Sequence, residues 1–284
     1  MSITRRDFLK ASSVGLLSVA AFSRLAETEA VAAHPRTQDL WPVPPRVLVM
    51  GIGDAGGAVV REMMNRRLPG VEHIWVHTDA RALEYYDVDV KVLIRPRTTR
   101  GLDAGNRAEY GRQAMEESRD RVQEILAGAD LVLLAGGMGG GTVTGATPVI
   151  AQLAREAGAL AVAVVTKPFQ FEGRWRHQQA RDGILELSRS ADTTILVPGD
   201  KIMSVLANGK ATLREMFQRL DARMVKVLRT IIRMIIDGGL INVGSADIRA
   251  VMGNRSLGAA DRRGPWPYRG PGWCHSMSPH RCRR

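Results

Sequence analysis

Ten consecutive residues, Gly136-Gly137-Met138-Gly139-Gly140-Gly141-Thr142-Val143-Thr144-Gly145, hold six glycines and directly follow the apolar run Asp130–Ala135. Glycine loses more backbone freedom on folding than any other residue. A run of it between a strand and a helix therefore points to backbone that must come close to something. At such a junction successive N–H groups form an anion-binding concavity, and Thr142 and Thr144 add hydroxyl donors. No Gly-Lys-Ser/Thr follows, so this is not a Walker loop. A second, less specific loop is Gly51-Ile52-Gly53-Asp54-Ala55-Gly56-Gly57, after the apolar run Arg46–Met50. Its Gly51, Gly53 and Gly56 fit G-x-G-x-x-G, a spacing that also suits dinucleotide-binding enzymes.

Between residues 46 and 252 strand and helix patterns alternate. Strands are predicted at Arg46–Met50, Ile74–Thr78, Val90–Ile94, Asp130–Ala135, Ala159–Thr166 and Thr194–Val197. Helices are predicted after the first loop and over Arg107–Ala127, Thr144–Ala157, Arg174–Arg189 and Thr212–Ile236. The strands are continuous apolar runs, as expected for a parallel sheet covered on both faces. The fold class is α/β, doubly wound and mostly parallel.

The two ends differ from this middle. Thr4-Arg5-Arg6-Asp7-Phe8-Leu9-Lys10 matches a twin-arginine export motif, followed by a weakly apolar stretch to Phe22 and small residues at Val31-Ala32-Ala33. Residues 1–33 are thus read as a targeting signal that directs export to the periplasm, the alternative being a cytoplasmic protein with an amphipathic N-terminal helix. Residues 34–45, with four prolines, read as a linker. From Gly253 onward no hydrophobic period is visible, and four prolines, both cysteines and seven arginines crowd together. Residues 253–284 are expected to be disordered, as after truncation or a frameshift. That tail holds most of the net charge of +11, and residues 34–252 carry only +4, so no nucleic-acid partner is expected. No run reaches the length of a transmembrane span, and no Cys/His set has metal-site spacing.

The order of motifs resembles the tubulin/FtsZ family, and most closely its bacterial branch. The resemblance covers about 200 residues, Arg46 to Met252. It runs through GIGDAGG, His77-Thr78-Asp79-Ala80-Arg81-Ala82-Leu83, Arg100-Gly101-Leu102-Asp103-Ala104-Gly105, Glu109-Tyr110-Gly111-Arg112 and the six-glycine loop. It continues through Val164-Val165-Thr166-Lys167-Pro168-Phe169-Gln170-Phe171-Glu172-Gly173 to Gly239-Leu240-Ile241-Asn242-Val243 with Ala246-Asp247. The resemblance implies GTP or GDP as ligand, with Mg2+ as its optional companion. It places Gly53, Asp54, Ala55, Gly56, Gly57 and Ala58 at the α/β phosphates, and Gly140, Gly141, Thr142, Val143 and Thr144 at the β/γ end. It gives Glu109 to the ribose and Arg112 to the sugar or phosphate. Phe217 would stack on the guanine, and Asp221 would accept from its two adjacent donors. Phe217 and Asp221 are four apart, hence on one side of a helix. Arg95, Arg97 and Arg100 would flank the γ-phosphate or be merely solvated.

The resemblance also implies hydrolysis coupled to head-to-tail self-assembly in cell division, through a loop that reaches a neighbour's nucleotide. Asn242 and Asp247 match the catalytic positions of that loop, but Gly244 stands where a first aspartate belongs. Losing one water-orienting carboxylate can cost on the order of 10²-fold, so impaired turnover is expected. Two further departures are Ala58 in place of Asn and Val143 in place of Gly. A β-branched residue at 143 is strained if that position needs φ > 0. The family's second domain is expected to be missing, which leaves Leu228, Ile231, Ile232 and Ile235 partly exposed and weakens self-association. The alternative reading is an exported NAD(P)-dependent oxidoreductase of the Rossmann type, with Asp79 after the second strand binding ribose.

Overall fold

A computed structural model describes residues 45–65, 68–94, 103–200 and 212–236, together with the backbone of 256–259. The expectations for residues 1–33, for nearly all of the linker, for Arg95, Arg97 and Arg100, and for the loop with Asn242, Gly244 and Asp247 lie outside the described residues.

The elements follow in the order β1 (Val47–Ile52), α1 (Gly53–Met64), β2 (Val71–His77), β3 (Val90–Leu93), α2 (Ala108–Glu117), α3 (Arg119–Leu126), β4 (Leu131–Gly137) and α4 (Gly141–Glu156). Then come β5 (Leu160–Lys167), α5 (Arg174–Ser190), β6 (Thr193–Pro198), α6 (Leu213–Ile236) and β7 (Ser256–Ala259). The sheet order is β3-β2-β1-β4-β5-β6-β7, and every pairing is parallel.

Side chains on a strand alternate between faces. Leu48, Met50 and Ile52 of β1 accordingly join Met115, Val122, Ile150 and Leu187 of α2, α3, α4 and α5 in one core layer. Val47 and Val49 join Val59, Val60 and Met63 of α1 and Leu228 and Ile232 of α6 in the other. This two-sided burial is why the strands read as unbroken apolar runs.

The strand order reverses between β1 and β4, which lie side by side with Gly51 opposite Ala135. One strand feeds a helix on each face, so both glycine loops meet at the carboxyl ends of neighbouring strands. That is where open α/β sheets bind ligands.

Four differences from the sequence reading have local causes. The helix expected over Arg107–Ala127 is two helices. Ser118 has φ −108° and ψ 12°, and its N–H closes a tight turn onto the Met115 carbonyl at 3.0 Å. Helix α4 begins at Gly141 and not at Thr144. Gly141 and Gly145 in its first turns are glycine because α2 crosses them at backbone contact: a Cβ on Gly145 would overlap the carbonyl oxygen of Ala108 and the amide nitrogen of Arg112, and one on Gly141 would meet the Arg107 backbone at 2.8 Å. Third, Ser256–Ala259 forms a strand on β6, inside the segment expected to lack structure. Four residues without an apolar run carry no period, so only pairing with the sheet edge reveals this strand. Finally, Leu228, Ile231 and Ile232 are buried. The apolar face of α6 packs on α1 and on the sheet, so it is not left exposed; of the four residues named, Ile235 alone is only partly buried.

Candidate functional site

Helix α1 begins at Gly53, whose φ of +68° turns the chain sharply out of β1. A side chain there would also meet Val143 Cγ2 at 2.7 Å. Neither Ile52 before α1 nor Gly140 before α4 supplies a side-chain cap. The first N–H groups of both helices therefore lack the usual internal acceptor. Two helix N-termini with their dipoles converge on one cavity of about 350 Å³, a ligand-sized volume.

Gly53, Asp54 and Ala55 line the cavity from α1, and Gly140, Gly141, Thr142 and Val143 line it from α4. Val143 sits in the first turn of α4, where Cβ branching is tolerated. Among the described non-glycine residues only Asn106 has positive φ. The strain expected at Val143 is therefore absent, and its methyl groups fill the gap between the two glycine loops. Thr142 lines the cavity with its Oγ1 2.7 Å from Thr78 Oγ1 and 3.4 Å from Asp103 Oδ1. The Thr144 hydroxyl instead accepts the Gly139 N–H at 2.8 Å. It shapes the loop and does not line the cavity.

Across from these loops, α6 contributes Phe217, Leu220 and Asp221. The pair four residues apart does present a ring and a carboxylate to one space. Phe217 stands edge-on to the buried Phe169, with centroids 5.3 Å apart. It remains 39% exposed, which leaves ring surface free for stacking. Burial pushes the Asp221 carboxyl up to about 6, partly offset by the Arg61 guanidinium.

The end of β5 and the turn after it supply what the sequence reading did not assign. Thr166, Lys167, Pro168 and Glu172 line the cavity, as does Arg176 of α5. Glu172 Oε1 accepts the Phe169 N–H at 2.8 Å, and its Oε2 lies 3.2 Å from Arg176 Nη1. Glu109 and Arg112, the residues given to the ribose, do not line the cavity. Glu109 is exposed in the first turn of α2, and the Arg112 guanidinium pairs with Glu186 of α5. Gly56 and Gly57 also stand behind the cavity wall. A Cβ on Gly56 would strike the Ala135 carbonyl at 2.6 Å, and Gly57 lies against the Trp75 indole. Ala58 lies in the second turn of α1, likewise outside the lining. Asp79 does not line the cavity either. Its N–H donates to His77 Nδ1, and its Oδ1 accepts the Arg81 N–H. It therefore does not take up the ribose position that the oxidoreductase reading needs. Among the described residues no helix is long and apolar enough to cross a membrane, and no three acidic, His or Cys side chains cluster as a metal site.

Residues 46–207 match the model of the Tubulin/FtsZ family, GTPase domain. The cell division protein FtsZ of Caulobacter vibrioides (strain NA1000 / CB15N) is 42% identical over 233 residues, which are 81% of this chain and 45% of that protein. The chain thus spans less than half the length of this curated relative. An FtsZ dimer from M. jannaschii is 33% identical with a TM-score of 0.73, over 77% of this chain and 63% of that one. CetZ1 from Haloferax volcanii, solved as a GDP-bound monomer, shares the fold at a TM-score of 0.63 and 22% identity, over 75% and 65% of the two chains. With more than half of its length matched by the family model, this chain belongs to the tubulin/FtsZ family and carries the fold of its GTPase domain.

Proposed function

We propose that this domain binds a guanine nucleotide, GTP or GDP, with the phosphates at the N-termini of α1 and α4 and the base between Phe217 and Asp221. The observation that carries the reading is the placement of Phe217 and Asp221 in the same cavity as two uncapped helix N-termini. A carboxylate that accepts two parallel N–H bonds selects guanine, because only guanine offers two adjacent donors on that edge. Glu172 and Arg176 line this cavity, with Arg176 beside Gly139 and Gly140, and in this reading they make the sugar and phosphate contacts that the sequence assigns to Glu109 and Arg112. Mg2+ would accompany the phosphates and neutralise their charge.

Hydrolysis belongs to the same proposal. It would couple to head-to-tail association, because the loop with Asn242 and Asp247 would act on a neighbour's nucleotide. The sequence has Gly244 in place of one acid, and turnover is expected to be slow. The first experiment is to denature the purified full chain and identify the nucleotide released, alongside competition by GTP, GDP and ATP. Guanine nucleotide and at least a tenfold preference over ATP, about 1.4 kcal/mol, are expected. Equal affinity for ATP and GTP would end the guanine assignment. In the same preparation GTP turnover per chain should rise with protein concentration, and Gly244→Asp should increase it. A fast turnover independent of concentration would contradict the shared-site reading.

A further inference from the structure

Strand β2 ends against the first turns of both glycine-loop helices. Side chains alternate along an extended chain, so Trp75 and His77 face α1 while Thr78 faces α4. The Trp75 indole Nε1–H donates to the Gly53 carbonyl at 2.9 Å. His77 Nε2 lies 3.1 Å from Oδ1 of Asp54, in the first turn of α1. Thr142 Oγ1, in the first turn of α4, donates to Asp103 Oδ1 at 3.4 Å and accepts from Thr78 Oγ1 at 2.7 Å. The two helices cover opposite faces of the sheet. Adjacent residues at the end of one strand therefore brace both helix N-termini from the middle.

His77 is the brace whose protonation chemistry is fixed by its surroundings. The residue is 2% exposed. A neutral imidazole has one donor and one acceptor. Nδ1 is 2.8 Å from the Asp79 backbone nitrogen, and a backbone N–H can only donate. The ring proton is thereby placed on Nε2, which donates to Asp54. This bond, ahead of every other influence, holds the Asp54 carboxyl below its ordinary range. The Asp54 side chain is 88% exposed, and His77 and Asp54 both line the cavity. A ring placed only for packing needs no exposed partner in the first turn of a ligand-facing helix.

Resting on the nucleotide reading above, we propose that His77 is a positioning residue for the phosphate end of the cavity, its Nε2–H pinning the first turn of α1 to β2 while Thr78 holds that of α4. The consequence is selective. Every nucleotide gains from the pinned turn, whatever its base. A nucleoside, which has no phosphate and uses only the Phe217 end, does not.

The test uses the purified full chain stripped of nucleotide, with fluorescent N-methylanthraniloyl GDP as probe and GDP, ADP and guanosine as competitors. His77→Asn keeps an acceptor for the Asp79 N–H but is too short to reach Asp54. His77→Gln keeps a donor at the length of Nε2. His77→Asn is expected to weaken GDP and ADP by the same factor, about tenfold, and to leave guanosine unchanged. His77→Gln should bring GDP back to within about threefold of the parent. In an Asp54→Ala background His77→Asn should have no further effect, because the bond it removes is already gone. As a second readout, 15N resonances of the parent's histidine rings should show His77, identified by its loss in His77→Gln, as the Nε2–H tautomer. This readout remains decisive if His77→Asn does not fold. Equal losses for guanosine and GDP, a full His77→Asn effect in the Asp54→Ala background, or an Nδ1–H tautomer would each overturn the proposal. A parent that binds neither the probe nor any competitor would overturn the nucleotide reading, and this proposal with it. A parent that binds GDP, with affinity unchanged in His77→Asn, would overturn only the role of His77.

Discussion

Asp221→Ala is expected to erase most of the preference for GTP over ATP while leaving the affinity for ATP within about threefold. The side chain reaches the cavity from α6 beside Phe217, on a different element from the two helix N-termini that would hold phosphate. A hydrogen-bond pair to a charged group contributes about 1.5–3 kcal/mol, which corresponds to roughly ten- to a hundredfold in affinity. Removing Phe217 should act differently. Phe217→Ala removes a stacking surface that every base can use, so both nucleotides should weaken together. Parallel losses for GTP and ATP in Asp221→Ala would show that Asp221 does not read the base.

The same residue sets a pH dependence whose sign can be worked out. Burial raises the Asp221 carboxyl to about 6 in the free protein. Above that value it is ionised and can accept two donors; below it one oxygen carries a proton and meets a guanine N–H head-on. Guanine affinity should thus be flat above about pH 7 and fall as pH drops through about 6, approaching tenfold per unit. ATP affinity should lack this step, and so should GTP affinity in Asp221→Asn. The stability of the free protein runs the opposite way. A carboxyl raised on folding holds its proton longer in the native state than in the unfolded chain. This contribution is therefore fully present at acid pH and is lost as pH rises to about 6. Guanine bound to the ionised form offsets that loss. Titration of GTP and ATP affinity between pH 5 and 8 checks the sign (the range spans the value near 6).

How much of this was legible in the sequence depended on whether a signal was local. Leu48, Met50 and Ile52 alternate with Val47 and Val49 between two core layers, and so the buried parallel strands were readable as apolar runs. The two glycine loops were readable because each sits directly after such a run. Phe217 and Asp221 could be paired because four residues make one helical turn. Glu172 and Arg176 had no such marker. They reach the cavity from the turn after β5 and from α5, and no periodicity says which end of a strand faces a ligand. The rule that open sheets bind at strand carboxyl ends would have singled out Thr166 to Glu172. Glu109 and Arg112 sit one helix away, on an α2 whose buried side crosses α4. The bond that the Thr144 hydroxyl accepts from the Gly139 N–H has no sequence marker either, because it forms only once the loop has folded back on itself. The apolar face of α6 is a similar case: an amphipathic stripe reveals that a partner exists, and not whether it is α1 or another domain.

Gly145→Ala is expected to destabilise the domain by more than about 3 kcal/mol and to abolish nucleotide binding in whatever remains folded. On propensity alone the change should help, because alanine in a helix interior is favoured over glycine by about 1 kcal/mol. Packing decides otherwise. A Cβ at 145 would overlap the Ala108 carbonyl oxygen and the Arg112 amide nitrogen of α2, and the corresponding Cβ on Gly111 would overlap the Gly141 carbonyl oxygen. These are backbone atoms in two crossing helices, and no rotamer change can move them. The helices must separate by more than an ångström to reach ordinary contact. That separation opens the layer holding Met115 and Ile150 and drags the first turn of α4, with Gly141, Thr142 and Val143, away from α1. The site and the core thus fail together. Gly158→Ala is the control: its φ is +84° and nothing lies within 4 Å of the added carbon. It should cost only the backbone strain of a left-handed residue, about 1–2 kcal/mol, and leave nucleotide affinity unchanged. Urea denaturation of the three proteins separates the cases. If Gly145→Ala unfolds within about 1 kcal/mol of the parent, the α2–α4 contact is looser than its geometry states, and the rigid placement of the six-glycine loop has to be sought elsewhere.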